Sequence, residues 1–141
     1  MSPRPSLIVR DYMTVDPLTL EPEDSLMTAL QVMRLRGVRR VPVVLGGVLM
    51  GLLVEGDLKR AEPSTLTGSQ EEFNRVMEST AISRIMIQNP VTVTADQPLV
   101  EAVDILYNTK YGALPVMDDG RVAGILTDND MLRALIDLLR E

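Results

Sequence analysis

Apolar residues recur at helical spacing in two stretches of the chain, and each stretch is followed by a pair of short apolar runs. The spacing of Leu26, Ala29 and Met33 predicts an amphipathic helix over Ser25–Arg36, and a similar pattern predicts one over Pro98–Lys110. Glycine-containing turns separate the short runs, which is typical of β-hairpins. The predicted hairpin strands are Val41–Leu45 with Val48–Val54, and Leu114–Met117 with Val122–Leu126.

Shorter elements flank these helices and hairpins. A helical turn is predicted before each Asp-Pro or Asn-Pro pair, since a residue before proline disfavours the helical conformation, and a brief strand follows. The ranges are Val9–Met13 and Ile82–Met86 for the turns, and Leu18–Leu20 and Val91–Val93 for the strands. Asp24 and Asp96 are candidate N-caps of the amphipathic helices, and a last helix begins near Glu55 and near Asp128.

The chain contains an internal repeat with an offset of 73 residues. This offset places Val9–Arg60 over Ile82–Arg133 without a gap, and proline and glycine stay in register throughout. The identical pairs include Met13/Met86, Pro17/Pro90, Thr19/Thr92, Leu26/Leu99, Ala29/Ala102, Pro42/Pro115, Val43/Val116, Gly47/Gly120, Gly51/Gly124, Leu53/Leu126, Asp57/Asp130 and Arg60/Arg133. We therefore predict two copies of one unit, each helix, strand, helix, strand, strand, helix; two unrelated units of similar length are the alternative.

The repeat also sets the predicted domain limits. Residues 1–61 form the first repeat, residues 62–80 a helical connector, and residues 81–141 the second repeat. In the connector, Phe73, Val76 and Met77 would lie on one side of a helix over Ser69–Ser79.

Composition excludes several classes of function. The 141-residue chain has a net charge of −6, which argues against nucleic acid as a main partner, although Arg34–Arg40 is a possible basic patch. The chain lacks Cys and His, so thiol catalysis, a Cys-type zinc site and the commonest general base are excluded. Acidic residues could form a carboxylate pair or a magnesium site, but no activated nucleophile accompanies them. Without an apolar run of roughly 18 residues or a signal pattern, we expect a cytoplasmic protein that is neither an enzyme nor membrane-bound.

Three motifs resemble those of the CBS domain, the regulatory repeat named after cystathionine β-synthase; two are present in both repeats, and the third is complete in the second repeat. They are the Met-x-x-Asn/Asp-Pro-Val/Leu-Thr run, the Leu/Val-Pro-Val strand, and the Gly-Ile-Leu-Thr-Asp-x-Asp start of the last helix. The segment Asp57–Ser64 with its helical connector is similar to the N-terminal half of acetoin-utilisation proteins of the AcuB type. Those proteins usually continue into an ACT domain, for which this sequence has no counterpart.

The resemblance implies an α/β (α+β) fold of two pseudo-symmetric CBS repeats with small sheets packed face to face. It also implies two clefts between the repeats and a disc-like homodimer. In such families the clefts bind AMP, ADP, ATP or S-adenosylmethionine, and ligand occupancy changes the activity of a partner protein.

The second repeat carries the main candidate site. On spacing alone, Thr127-x-x-Asp130 is a capping box at an exposed helix start. The resemblance implies that Asp130 accepts the ribose hydroxyls and that Thr127 donates to ribose or phosphate. It also implies that the adenine is held by Tyr111, Gly112, Ala113 and Pro115 on one wall, and by Val91 and Thr92 on the other.

Phosphate recognition is assigned to arginines of the first repeat. Arg39 and Arg40 follow its amphipathic helix, and the guanidinium group matches phosphate oxygens bidentately; solvated surface charge is the alternative. A weaker second site would involve Asp57, Val54, Thr19 and Arg133. Val54 stands where the second repeat has Thr127, so that site lacks a hydroxyl.

Two hypotheses about function follow. The first is a non-catalytic regulatory module that senses an adenine nucleotide, or S-adenosylmethionine, requires no metal or cofactor, and controls an unknown protein. The second is a ligand-free interaction or dimerisation module. A homodimer is expected in either case, since two sets of apolar residues exceed what one small module can bury. These are Leu132, Leu135, Ile136 and Leu139 on the last helix, and Leu26, Met27 and Leu30 on another.

Overall fold

The computed structural model describes residues 7–64 and 66–141. These residues form seven strands, five α-helices and two 3-10 helices. The strands are β1 Thr14–Val15, β2 Arg40–Leu45, β3 Val48–Val54, β4 Ile87–Gln88, β5 Val93–Thr94, β6 Ala113–Asp118 and β7 Arg121–Thr127. The α-helices are α1 Leu26–Arg36, α2 Glu55–Ala61, α3 Gln70–Ser79, α4 Leu99–Asn108 and α5 Asp128–Leu139, and the 3-10 helices are Val9–Asp11 and Ile82–Arg84.

The chain divides into two compact units. One, here called the discontinuous unit, contains the described residues up to Pro17 together with Pro90–Glu141. The other, the continuous unit, is Leu18–Asn89. Each unit has its own sheet and its own apolar core.

The discontinuous unit is built on a four-stranded sheet in the order β1-β7-β6-β5. The β6–β7 hairpin is antiparallel, β5 runs parallel to β6, and β1 is antiparallel to β7. Leu99, Ala102 and Leu106 of α4 are buried in the core of this unit, at the helical spacing that the sequence predicts. Val103 of the same helix is exposed.

The continuous unit repeats this design with a three-stranded antiparallel sheet in the order β2-β3-β4. Leu26, Ala29 and Met33 of α1 are buried in its core. The connector helix α3 begins after its N-cap Ser69, and its Met77 is fully buried in the same core. The sequence prediction of a helix in the connector is therefore confirmed.

Each unit takes its first strand from the other sequence repeat. We call residues 8–15 and 81–88 the leading segments of repeats one and two. Strand β1 of the first leading segment pairs with β7, and β4 of the second pairs with β3. Glycine permits both close approaches, because a Cβ at Gly124 would lie 2.6 Å from the Thr14 carbonyl oxygen and one at Gly51 would lie 2.7 Å from that of Ile87.

Several local predictions were wrong. Leu18–Leu20 is not a strand, since Leu20 makes an isolated bridge with Val43. The N-cap of α1 is Ser25, whose Oγ accepts from the Thr28 amide at 3.1 Å. Asp24 instead accepts from the Glu21 amide at 2.8 Å, one turn earlier.

The predicted caps and apolar faces need two more corrections. The N-cap of α4 is Pro98, and Asp96 pairs with Arg10 at 3.0 Å. Leu26, expected on an outward apolar face, points into the core of the continuous unit. Met27 and Leu30 of the same helix pack partly against that core.

Candidate functional site

The start of helix α5 presents the carboxylate that the sequence singles out. Thr127 is the N-cap residue, and its Oγ1 accepts from the Asp130 amide at 3.4 Å. In return, Asp130 Oδ2 accepts from the Thr127 amide at 2.9 Å and from the Thr127 hydroxyl at 3.2 Å. The predicted capping box is therefore confirmed.

Asp130 is 7% exposed, so the expectation of an exposed helix start was wrong. Burial arises because the leading segment of repeat one packs beside α5 within this unit, a contact that local sequence does not encode. Asp130 is the buried charged residue among those described. A buried carboxylate requires compensating partners, and those around Asp130 come from two directions.

The two carboxylate oxygens of Asp130 differ in their hydrogen bonding. Oδ2 accepts from both the amide and the hydroxyl of Thr127. Oδ1 makes two longer contacts, 3.5 Å from the Thr14 hydroxyl and 3.7 Å from Arg133 Nη2. Since good hydrogen bonds to a carboxylate are near 2.7–2.9 Å, Oδ1 retains capacity to accept a hydroxyl donor.

The residues predicted on the adenine wall lie close to this carboxylate in the discontinuous unit. Ala113 is the register partner of Thr127, where β6 begins and β7 ends. The Gly112 carbonyl accepts from the Asp128 amide at 3.1 Å, and Gly112 itself has a φ of 68°. That left-handed conformation suits glycine, which explains this residue at the start of the strand.

The remaining wall residues are placed less uniformly. Tyr111 Oη accepts from the Val91 amide at 2.9 Å, so these two predicted residues are brought together. Pro115 is buried opposite Ile125 in the β6–β7 ladder. Thr92 is exposed just before β5. The nucleotide-binding roles of these residues stay predictions.

The predicted phosphate-binding arginines belong to the continuous unit. Arg39 is exposed, and its carbonyl accepts from the Glu55 amide at 2.8 Å. Arg40 is the first residue of β2 and is half-buried opposite Val54. Their role with phosphate stays a prediction from the resemblance.

The predicted weaker site has a simpler arrangement. Val54 is the N-cap residue of α2 and provides no side-chain cap. Asp57 pairs with Arg60 of the same helix, and Thr19 is exposed before the bridge at Leu20. Arg133, which the sequence assigns to this site, contacts Asp130 in the discontinuous unit; its part in a second site stays a prediction.

Sequence reasoning missed Tyr12 and Thr14. Both lie in the leading segment of repeat one, and both act on α5: the Tyr12 carbonyl accepts from Arg133 Nη2 at 2.7 Å, and the Thr14 hydroxyl is the neighbour of Asp130 Oδ1. Contacts between positions 116 or more residues apart leave no trace in local periodicity. The available signal was the difference between Tyr12 and its repeat equivalent Ile85.

Two groups of the first leading segment have shifted pKa values. The hydrogen bond from the Tyr12 hydroxyl to Asp137, 2.8 Å long, raises the pKa of Tyr12 by stabilising the protonated phenol, with a smaller contribution from burial. Hydrogen bonds to Asp96 and Asp118 raise the pKa of Arg10. Arg10 therefore anchors the same segment at a position away from Asp130.

Within residues 7–64 and 66–141, no group of three or more acidic side chains is arranged to hold a metal ion. In the same ranges, none of the helices combines the length and apolar character that crossing a bilayer requires.

Comparison with known proteins agrees with the geometry. The family model of the CBS domain matches residues 9–64 and again residues 82–137. The chain belongs to the CBS domain family. Both matches begin within a leading segment and include the hairpin and most or all of the helix that follows it, so this chain is a tandem CBS pair.

The curated relatives of this chain differ in length. A CBS domain-containing protein of Dictyostelium discoideum is 34% identical over 136 residues, which is 94% of each chain. An uncharacterised protein of Methanocaldococcus jannaschii is 30% identical over 134 residues, but this chain spans 46% of its length.

Solved structures of CBS-pair proteins are similar to this chain over most of its length. The acetoin utilisation protein AcuB of Vibrio cholerae superposes with a TM-score of 0.82 at 28% identity, with 97% of each chain covered. The CBS-pair protein CBSX2 of Arabidopsis thaliana gives 0.84 at 26% identity, with 97% of this chain and 99% of that one covered. A structure of CBSX2 in complex with AMP gives 0.78 at 26% identity, with 94% and 98% covered.

Proposed function

We propose that this CBS pair is a cytoplasmic, non-catalytic regulatory module that binds an adenine nucleotide at Asp130. The observation that carries the proposal is the state of this buried carboxylate. One oxygen is fixed by the capping box, and the other makes two long contacts that leave it able to accept ribose hydroxyls. The complex of CBSX2 with AMP supports this ligand class.

The surroundings of Asp130 fit an adenosine moiety. Next to Thr127 lie the small side chain of Ala113 and the backbone of Gly112, which has no side chain, so a planar ring can approach closely. The start of the twelve-residue helix α5 adds a partial positive charge that favours a phosphate. In this proposal AMP, ADP or ATP is bound without a metal cofactor, S-adenosylmethionine is the alternative ligand, and occupancy regulates a partner protein.

Calorimetric titration with AMP, ADP, ATP, S-adenosylmethionine and NADH tests the proposal. We expect one strong site per chain for an adenine nucleotide. Asp130→Asn should weaken binding about tenfold or more, since a hydrogen bond to a charged group contributes roughly 1.5–3 kcal/mol. The matched control is Asp57→Asn at the equivalent position of repeat one, which should leave the affinity of the strong site unchanged. Absence of heat with all five ligands, or equal losses in the two variants, would overturn the proposal.

A second candidate function, protein interaction, is favoured by the outer face of α5. Leu132, Leu135, Ile136 and Leu139 are all exposed and follow helical spacing, so they form one apolar stripe. We propose that a second copy of the chain covers this stripe in a homodimer. Light scattering at micromolar concentration should give twice the mass of one chain, and Leu135→Glu with Ile136→Lys should give a monomer. A monomeric wild-type protein would contradict the proposal.

A further inference from the structure

Three side chains beside Asp130 form a network that links helix α5 to the first leading segment. Arg133 donates to the Tyr12 carbonyl at 2.7 Å, and its guanidinium carbon lies 5.5 Å from the centre of the Tyr12 ring. The Tyr12 hydroxyl donates to Asp137 Oδ2 at 2.8 Å, one turn further along α5. We call Tyr12, Arg133 and Asp137 the clamp.

The clamp fixes a side chain that would otherwise be mobile. Arg133 is more than half exposed, and an exposed arginine normally samples many rotamers. Here a carbonyl oxygen and an aromatic face hold its guanidinium group from different directions. The same Nη2 atom that binds the Tyr12 carbonyl lies 3.7 Å from Asp130 Oδ1, so the fixed charge faces the under-bonded carboxylate oxygen.

The continuous unit shows that the fold does not require a clamp. The repeat equivalents of Tyr12 and Asp137 are Ile85 and Ser64, which offer neither an aromatic ring nor a carboxylate. Arg60, the equivalent of Arg133, pairs with Asp57 on its own helix. Nevertheless, β4 of the second leading segment pairs with β3 just as β1 pairs with β7. A leading segment can therefore be attached by β-pairing alone, and the clamp is not needed for that attachment.

We infer that Tyr12 and Arg133 are positioning residues for ribose recognition, which they perform by holding Asp130 Oδ1 in place. This inference rests on the proposed function. Thr127 fixes Oδ2 from within α5, whereas Oδ1 faces Arg133, which Tyr12 of the leading segment holds in place. Ribose binding at Asp130 and attachment of the first leading segment consequently stabilise each other, because coupling between two sites is reciprocal.

Ribose selectivity tests this role directly. The affinity ratio of AMP to 2′-deoxy-AMP and to 3′-deoxy-AMP is measured by calorimetry in the wild-type protein and in Arg133→Gln. We expect the wild type to prefer AMP over at least one deoxy analogue by on the order of tenfold. In Arg133→Gln this preference should fall several-fold, because Asp130 Oδ1 then keeps only its long contact with the Thr14 hydroxyl. A purely structural role would weaken all three ligands equally and leave the ratios unchanged.

Arg10→Gln is the matched control. Arg10 anchors the same leading segment through Asp96 at 3.0 Å and Asp118 at 3.3 Å, and neither contact involves Asp130. This variant should keep the wild-type ratios. Tyr12→Phe loses the bond to Asp137 but keeps the ring and carbonyl, so its loss of preference should be smaller than that of Arg133→Gln. It also serves as the second variant should Arg133→Gln fail to fold.

Hydrogen exchange provides a reciprocal measurement. AMP should slow exchange of the Tyr12 and Met13 amides, both of which donate to the Val9 carbonyl at 3.0 Å in the leading segment. The slowing should be weaker in Arg133→Gln. A wild type that binds no adenine nucleotide would overturn the proposed function and this inference with it. A wild type that binds and discriminates, with unchanged ratios and unchanged protection in Arg133→Gln, would overturn the inference alone.

Discussion

The two units place an aspartate at the start of equivalent helices on nearly the same backbone. In the discontinuous unit the Asp128 amide donates to the Gly112 carbonyl at 3.1 Å, and in the continuous unit the Glu55 amide donates to the Arg39 carbonyl at 2.8 Å. The hairpins before both helices have matching registers and a bulge at the same repeat position. Backbone geometry therefore does not distinguish Asp130 from Asp57.

The side chains around the two aspartates are different. The Asp130 side chain is 9% exposed and has partners from α5 and from the first leading segment. The Asp57 side chain is 25% exposed and pairs with Arg60, one helical turn away. Thr14 and Thr127, which offer hydroxyls near Asp130, are replaced by Ile87 and Val54 in the other unit.

This difference suggests that residues shared by the two repeats serve folding, whereas residues that differ between them serve recognition. Identical residues such as the close-approach glycines maintain the shared backbone. Residues that differ between the repeats concentrate polar contacts at one helix start. We therefore expect one strong and one weak site per chain, and the following substitutions test that asymmetry in order of decreasing effect.

The largest expected effect comes from removing two cations of repeat one. Arg39→Ala combined with Arg40→Ala should weaken nucleotide binding on the order of a hundredfold, if each arginine provides a charge-assisted contact to phosphate. Their equivalents in repeat two are Gly112 and Ala113, so only repeat one has arginines at these two positions. Calorimetry with ADP measures the loss.

Arg34→Ala with Arg36→Ala is the control for the double substitution. It removes the same charge from exposed positions at the end of α1. Equal losses in the two double variants would indicate a general field effect rather than phosphate contacts. Normal binding by the Arg39/Arg40 variant would show that these arginines are surface charges.

Asp130→Ala should reduce both ligand affinity and stability. Affinity should fall about tenfold or more with the loss of the ribose acceptor. The free energy of unfolding should fall by about 1–2 kcal/mol, because the Thr127 amide loses its capping partner in a half-buried position. Asp57→Ala, at the more exposed site, should cost less than about 1 kcal/mol. Denaturant unfolding that gave the two variants the same loss would contradict the burial difference.

Periodicity was sufficient to predict the helices and hairpins. Buried residues of α1 and α4 recur at helical spacing, and glycine turns identify the hairpins, so the errors there are of one or two residues. The error at the cap of α1 has the same scale, since Asp24 and Ser25 are neighbours and both favour N-cap positions. Thr127 and Asp130 were predictable because a capping box is a local motif.

The exchange of leading segments could not be predicted from the pattern. Met13 and Met86 occupy equivalent positions, so either leading segment satisfies the apolar pattern of either unit. Which hairpin each one joins depends on packing over the whole fold. The contacts of Tyr12 and Thr14 with α5 follow from that exchange. The contacts around Asp130 that come from the first leading segment were therefore not predicted from the sequence.

Val54→Thr and Thr127→Val each introduce the residue of the other repeat, and together they should make the affinities of the two sites more similar. Val54→Thr would give α2 a side-chain cap and should raise the free energy of unfolding by up to about 1 kcal/mol. It should also improve the weak site a few-fold, since one neutral hydrogen bond contributes roughly 0.5–1.5 kcal/mol. Thr127→Val should have the opposite effects at the strong site. If both substitutions change stability and affinity in the same direction, the two helix starts are not equivalent.

The smallest expected effect is a pH dependence that comes from Tyr12. Its hydroxyl donates to Asp137, so ionisation would place two negative oxygens 2.8 Å apart, and the pKa of Tyr12 in the folded protein is raised above its ordinary value of about 10. A raised pKa means that folding favours the protonated phenol. The stabilisation is therefore complete below about pH 10 and is lost as the pH rises through the raised pKa.

Denaturant unfolding between pH 8 and pH 11 should show this loss as a difference between wild type and Tyr12→Phe, which lacks the titrating group. Asp137→Ala should move the tyrosinate absorbance of Tyr12 to lower pH, since the accepting carboxylate is the main cause of the raised pKa. Tyr107→Phe, an exposed ring on α4, controls for the loss of one phenol from the absorbance signal. The continuous unit has Ile85 at the equivalent position, which does not ionise and adds no pH dependence. An identical pH dependence in wild type and Tyr12→Phe would mean that the hydroxyl does not hold Asp137 in solution, and the clamp would then rest on Arg133 and the Tyr12 carbonyl.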